Sequence, residues 1–153
     1  MEDSQHDPES DVGWEPARAV DAAFERGDPE VGTAVVELVL SGVDFDVAAA
    51  RVERALRADE GTVRRLGHVA TGDLARLHGR LTPALYGLLR AAGLGGAADS
   101  AIKDVLTFVP FRDLPAWFRY QSLRLSVRDR VEGRLLRLAD GWATVRDRLS
   151  HRD

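Results

Sequence analysis

The sequence predicts an all-α protein, and three observations point to that class. Residues 62–81 place apolar side chains at steps of three and four, the spacing of one helix face: Val63, Leu66, Ala70, Leu74, Leu77 and Leu81. Comparable patterns recur between residues 15 and 110, joined by short loops that contain Gly, Pro or a capping residue. The 153 residues are 44% apolar and 30% charged, which suits one domain with a sizeable core and short extensions.

The first three helices have recognisable start and stop signals. Pro16 suits the first turn of a helix that Gly27 ends. Asp28 and Pro29 predict the start of the second helix, and Asp44 predicts the cap of the third. The side chains expected to be buried are, in order, Ala19, Val20, Ala23 and Phe24; Val31, Ala34, Val35, Leu38 and Val39; and Phe45, Ala49, Val52 and Leu56.

Three further helices follow on short loops. Thr62 is the expected cap of the fourth helix and Gly79 its end, while Thr82-Pro83 starts the fifth and Pro110 stops the sixth. Short loops favour antiparallel neighbours, so we expect helix two to pair with helix three and helix four with helix five. Such pairs span about 35–40 residues, near the length of a two-helix solenoid repeat. The expected buried residues are Leu85, Leu88, Leu89 and Ala92, then Ala98, Ala101, Ile102, Val105, Leu106 and Val109.

The two ends differ from this helical domain, residues 15–110, in charge and pattern. Residues 1–14 are acidic and polar and predict a disordered arm. Residues 111–153 form a basic amphipathic extension with ten arginines against six acids. Strands over 123–127 and 136–145 are the alternative there, but the pattern favours a helix capped by Asp113, with Pro115 in its first turn. Its stripe is Leu123, Val127, Val131, Leu135, Leu138, Trp142, Val145 and Leu149. Such a stripe needs a partner, either the domain or a second copy in a homodimer.

Few residues suggest chemistry. Cysteine is absent, no serine lies in a nucleophile elbow, and Gly93–Gly96 lacks the Lys-Ser/Thr of a phosphate cradle. His68 and His78 are ten residues apart on one helix, which is too far to share a metal ion. We therefore expect no cofactor, no metal and no enzymatic activity. Acids interleave the arginines of the extension, which argues against nucleic acid. No apolar run could span a membrane and the N-terminus lacks a signal-peptide pattern, so the expected location is the cytoplasm.

Two segments resemble a known family. VRRLGHVATGDLARLHGRL (Val63–Leu81) and GAADSAIKDVLTF (Gly96–Phe108) are similar to the GHLARIHG-type and GRAEDALDDI-type helices of small bacterial HEAT-like proteins. The resemblance covers residues 17–109 and departs from the family pattern at Asp73, where the family has His. It implies stacked antiparallel helix pairs in a right-handed superhelix. It also implies that the protein is a protein-binding adaptor. A more specific possibility within the resemblance is an immunity protein that binds and neutralises a bacterial toxin.

The expected partner-binding residues lie on the fourth helix and at the start of the extension. We expect Arg64, Asp73, Arg76 and His78 to border a surface lined by the even-numbered helices. Trp117 and Tyr120 belong to an aromatic cluster that either docks the extension or anchors a partner. The alternative function is an oligomerising structural module that uses the C-terminal amphipathic helix.

Overall fold

The computed structural model describes residues 14–126. It contains six α-helices, a short 3₁₀ turn and a final helical stretch, which divide into two compact units with the boundary in the chain between Leu114 and Pro115. The first unit contains α1 (Trp14–Glu25), α2 (Val31–Leu40), α3 (Phe45–Leu56), α4 (Gly61–His78), α5 (Pro83–Ala92), α6 (Asp99–Phe108) and the 3₁₀ turn Phe111–Asp113. In the second unit residues 116–126 are helical, which we call α7. The predicted acidic arm before Trp14 and the extension from residue 127 onward lie outside the described residues.

The predicted all-α class is confirmed over residues 14–126, where all regular structure is helical and no strand occurs. The strand alternative is therefore wrong at Leu123 and Leu125, which lie in α7. No described helix is both long and apolar enough to cross a membrane.

Helix α4 is the centre of the first unit, because it packs against α2, α3 and α6. A glycine lies at each of these contacts. A Cβ atom on Gly32 of α2 would lie 3.0 Å from Leu66 Cβ, and one on Gly67 would lie 3.1 Å from the backbone nitrogen of Leu56 in α3. A Cβ atom on Gly72 would lie 2.5 Å from an Asp104 carboxylate oxygen of α6. The three helices thus approach α4 closely because glycine leaves room for them.

The helices of the first unit form two rows. Helices α2, α4 and α6 pack side by side, as do α1, α3 and α5. Helix α4 runs antiparallel to α3, since Gly67 meets Ala55 while His78 meets Phe45. It runs parallel to α6, since Gly72 meets Asp104 and Gly79 lies near the Phe108 carbonyl.

The expected pairing of helix four with helix five is wrong. Helices α4 and α5 are not a closely packed pair, and α5 packs on α3 instead. The hydroxyl of Thr82, just before α5, donates to Glu53 of α3 at 2.7 Å. The loop between α4 and α5 therefore carries the chain from one row to the other.

The buried surface of α4 is broader than a single stripe. Val63, Ala70 and Leu74 are buried as expected, but Leu66 is half-buried and Leu77 is 52% exposed. The extra buried positions are Gly67, His68, Thr71, Gly72 and Ala75. A single apolar stripe does not predict the buried surface of α4, because α4 has neighbours on three sides. These close contacts leave room only for small side chains.

The expected core positions of α2 and α3 are buried or half-buried, whereas two positions besides Leu77 are wrong. Ala19 of α1 and Ala92 of α5 are exposed, and Ala17 is buried in α1 instead. Asp21 of α1 pairs with Arg51 of α3, with 2.5 Å between carboxylate oxygen and guanidinium nitrogen. Arg54 of α3 stacks over Phe24 at 4.5 Å from the ring centre. Polar contacts therefore supplement the small apolar interface between α1 and α3.

Two predicted caps are confirmed and three are wrong. Asp44 accepts from the backbone N–H of Asp46 at 2.9 Å, and the Thr82 hydroxyl accepts from that of Leu85 at 3.2 Å. Asp28 lies before the N-cap of α2, which is Glu30, and α2 begins at Val31, after Pro29. Thr62 lies inside the first turn of α4, and Glu60 is the cap. Asp113 lies in the 3₁₀ turn, and the carbonyl of Pro115 accepts the first hydrogen bond of α7.

Candidate functional site

The solvent-facing side of α4 forms a narrow mixed surface. Its members are spaced at helical steps opposite the buried side, and we call them the α4 outer strip: Arg65, Val69, Asp73, Arg76 and Leu77. Val69 is 47% exposed and Leu77 52%. The strip therefore combines two exposed aliphatic side chains with two arginines.

Asp73 and Arg76 are the two predicted binding residues that the structure brings together. The Arg76 guanidinium donates to the Asp73 carboxylate three residues earlier on the same helix. The Asp73 side chain is only 14% exposed, whereas that of Arg76 is 51% exposed. The pair thus presents its cation to solvent and keeps its carboxylate recessed.

Arg64 does not lie on this strip. It is about 120° around the helix from Arg76 and about 18 Å along the axis. Its guanidinium donates to the backbone carbonyls of Ala58 at 2.7 Å and Asp59 at 2.9 Å. Arg64 therefore binds the turn before α4.

His78 also points away from the strip, about 160° around the helix from Arg76. Its ring meets the ring of Phe45 in α3 edge-on, with 5.3 Å between centres. The Arg80 guanidinium lies 4.2 Å from the centre of the same Phe45 ring. His78 and Arg80 therefore fasten the end of α4 to the start of α3.

Trp117 and Tyr120 lie in α7, within the second unit. The Trp117 ring meets the adjacent Phe118 ring edge-on at 4.8 Å between centres. Tyr120 is 62% exposed. Trp117 thus forms part of an aromatic pair, while Tyr120 is open to solvent.

His68 is buried on α4, a location that the periodicity of the sequence did not indicate. Its Nδ1 has no hydrogen-bond partner among the described residues. Burial lowers the pKa of His68, and the nearby charge of Arg64 lowers it further. The side chain is therefore held neutral at physiological pH.

Sequence reasoning also missed Arg65 and Val69. These two residues are four positions apart and lie on the side of α4 opposite Ala70 and Leu74. The helical period that located the core therefore also marks them as solvent-facing. Nothing in composition distinguished them from other surface residues.

The described residues contain no group of three or more His, Asp or Glu side chains arranged to hold a metal ion. The α4 outer strip holds no histidine, hydroxyl or second carboxylate beside Asp73, so it offers surface for contact and little for acid–base chemistry. No protein-family model, curated protein or solved structure matches the chain.

Proposed function

We propose that this chain is a non-enzymatic protein-binding adaptor whose partner contacts the α4 outer strip. The observation that carries the proposal is the exposure of Val69 between Arg65 and Arg76 on the central helix of the unit. Arginine is enriched in protein interfaces, and the buried core of an interface is more apolar than the rest of the protein surface.

The rigidity of α4 supports the same role. Gly32, Gly67 and Gly72 bring three neighbouring helices against it, and its C-terminal end is held by contacts to Phe45. A surface whose backbone is fixed before binding loses little conformational entropy when a partner docks.

A HEAT-like arrangement is the fold that we propose for this adaptor. Its support is the antiparallel contact of α3 with α4, together with the parallel row of α4 and α6. From the resemblance to small HEAT-like proteins, we also propose a more specific role, in which the chain binds and neutralises a bacterial toxin.

A capture experiment tests the adaptor function. Tagged full-length chain is used as bait in native lysate, and we compare the wild type with Val69→Asp and Leu94→Asp. Leu94 is an exposed leucine in the loop between α5 and α6 and is not a member of the strip, so it is the matched control. We expect Val69→Asp to lose partners that Leu94→Asp retains, with unchanged thermal unfolding. Recovery of the same partners by Val69→Asp would refute the assignment, as would loss of them by both variants.

A second candidate is the oligomerising module, favoured by the exposure of Tyr120 and Leu123 three residues apart on α7. Sedimentation equilibrium of the full chain and of Leu123→Asp distinguishes the two functions. Self-association that Leu123→Asp abolishes supports this candidate, and a monomer in both samples contradicts it.

A further inference from the structure

Exposed cations and recessed carboxylates recur on the row of α4 and α6. The Lys103 Nζ lies 2.7 Å from an Asp99 carboxylate oxygen on α6, and the lysine side chain is 60% exposed against 32% for the aspartate. Arg76 and Asp73 on α4 show the same inequality. A partner that approaches such a pair meets the cation first, although the pair is neutral in sum.

Arg65 adds a cation without a counter-charge. No acidic side chain lies within ion-pair distance of it among residues 14–126, and it is exposed one helical turn before Val69. Arg65 and Arg76 are only about 20° apart around the helix, with Val69 between them along the axis. The outer strip thus has an exposed arginine beyond each end of Val69. The Asp73 carboxylate that pairs with Arg76 is recessed, and the Asp104 carboxylate of α6 lies over Gly72 at the edge of the strip.

We infer that the partner presents an acidic protein surface, in which carboxylates meet Arg65 and Arg76 while an aliphatic or aromatic side chain packs on Val69. This inference rests on the proposed adaptor function and adds the chemistry of the partner. Charge complementarity of this kind sets which partner is selected and how fast it associates. Exposed Val69 and Leu77 favour a protein over a nucleic acid, because a phosphate backbone gains nothing from aliphatic side chains.

The test uses the full chain and a defined probe. The probe is a labelled amphipathic helical peptide with Leu on one face and Glu beside it, compared with the same peptide carrying Gln at each Glu. Fluorescence anisotropy measures binding to the wild type, to Arg65→Ala and to Arg90→Ala. Arg90 is an exposed arginine in α5 of the other row, and no acidic side chain pairs with it among residues 14–126, so it controls for loss of one positive charge.

We expect the Glu peptide to bind more tightly than the Gln peptide, and Arg65→Ala to weaken the Glu peptide by about two- to fivefold, the effect of one exposed ion pair. Arg90→Ala should match the wild type, and added salt should reduce the difference between the peptides. Equal binding of the two peptides, or equal loss in Arg65→Ala and Arg90→Ala, would overturn the inference. A labelled single-stranded DNA oligonucleotide that binds more tightly than the Glu peptide and responds to Arg65→Ala would overturn it in favour of nucleic acid.

The lysate capture separates this inference from the function on which it rests. If Val69→Asp loses a partner that Arg65→Ala and Arg76→Ala both retain at low and high salt, the adaptor function stands and the acidic chemistry fails. If Val69→Asp loses nothing, the function itself fails.

Discussion

Replacing Gly67 with alanine tests whether the close contact of α4 with α3 decides stability. In an open helix this change is stabilising, because alanine is favoured over glycine by about 1 kcal/mol in a helix interior. At Gly67 the added Cβ would lie 3.1 Å from both Ala55 Cβ and the Leu56 nitrogen, and 3.2 Å from the Ala55 carbonyl carbon. Two of these three atoms belong to the backbone of α3, so a side-chain rotation cannot relieve the crowding.

Gly87 is the matched control. It lies within α5, is exposed, and its Cβ would have no atom within 4 Å apart from its own chain neighbours and helix backbone. Gly87→Ala should therefore show the propensity gain alone, about 0.5–1 kcal/mol in unfolding free energy. At Gly67 overpacking costs about 1–3 kcal/mol against the same gain. The two variants add the same atoms, so the difference between their unfolding free energies reports the crowding.

Urea unfolding followed by circular dichroism measures both variants. We expect Gly87→Ala to raise the midpoint and Gly67→Ala to leave it unchanged or lower it, with a difference between the variants of about 1–3 kcal/mol. Equal stabilisation by both substitutions would show that α3 can retreat from α4 without cost. The account of α4 as a helix fixed by glycine contacts would then be wrong.

Three further outcomes follow from the same helix. Leu74→Ala should lower the unfolding free energy by about 2–5 kcal/mol because Leu74 is fully buried, whereas Leu77→Ala should be nearly neutral because Leu77 is exposed. Thermal or urea unfolding of the two variants measures this. Similar losses of stability would contradict the difference in burial between the two leucines. The pKa of His68 is lowered by burial, so the stability that its neutral form contributes is complete above about pH 6.5, the ordinary histidine pKa, and is lost as the pH falls further. In urea unfolding, the unfolding free energy of His68→Gln should fall less steeply below this pH than that of the wild type. Parallel pH profiles of the two proteins would refute this. Backbone N–H groups of α4 lower the pKa of Glu60. The wild type should therefore be more stable than Glu60→Gln at pH 7, and this difference in unfolding free energy should disappear as the pH falls through the folded-state pKa of Glu60. A difference that stays constant with pH would contradict this.

How well the sequence predicted each helix depends on how many neighbours the helix has. In α3 the expected stripe of Phe45, Ala49, Val52 and Leu56 is fully buried. In α4 the same reasoning misplaced Leu77, because the buried side of the helix is centred on Gly67, Thr71 and Ala75 and leaves Leu77 exposed. Glycine contacts carry no hydrophobic signal, so periodicity gives no sign of Gly67 or Gly72 as interface residues.

The two caps that were predicted correctly have short side chains, whereas the cap of α4 that was missed is a glutamate. Asp44 and Thr82 reach the nearest N–H groups in the usual way. Glu60 reaches two, with one carboxylate oxygen accepting from Thr62 and the other from Val63, and it takes the place expected for Thr62. The bidentate reach of a glutamate is a property of its geometry that a ranking of capping residues does not contain.

The candidate site was predicted only in part, for a related reason. Asp73 and Arg76 were expected and do lie together on the outer strip, but Arg64 and His78 make contacts at the two ends of α4 instead. Polar residues on one helix share a surface only when their spacing is close to a whole number of turns. Arg64 and His78 fail that condition relative to Arg76, and Arg65 and Val69 meet it.

One helix thus carries two separable properties, and substitutions on its two sides should separate them. Gly67 acts on the contact with α3 behind α4, so a change there should alter unfolding free energy and, through it, binding. Arg65 projects from the front and makes no ion pair among the described residues, so its loss should weaken binding and leave unfolding unchanged. If Arg65→Ala lowered stability as much as Gly67→Ala, Arg65 would be part of the packed unit, and the outer strip could not serve as a free surface for a partner.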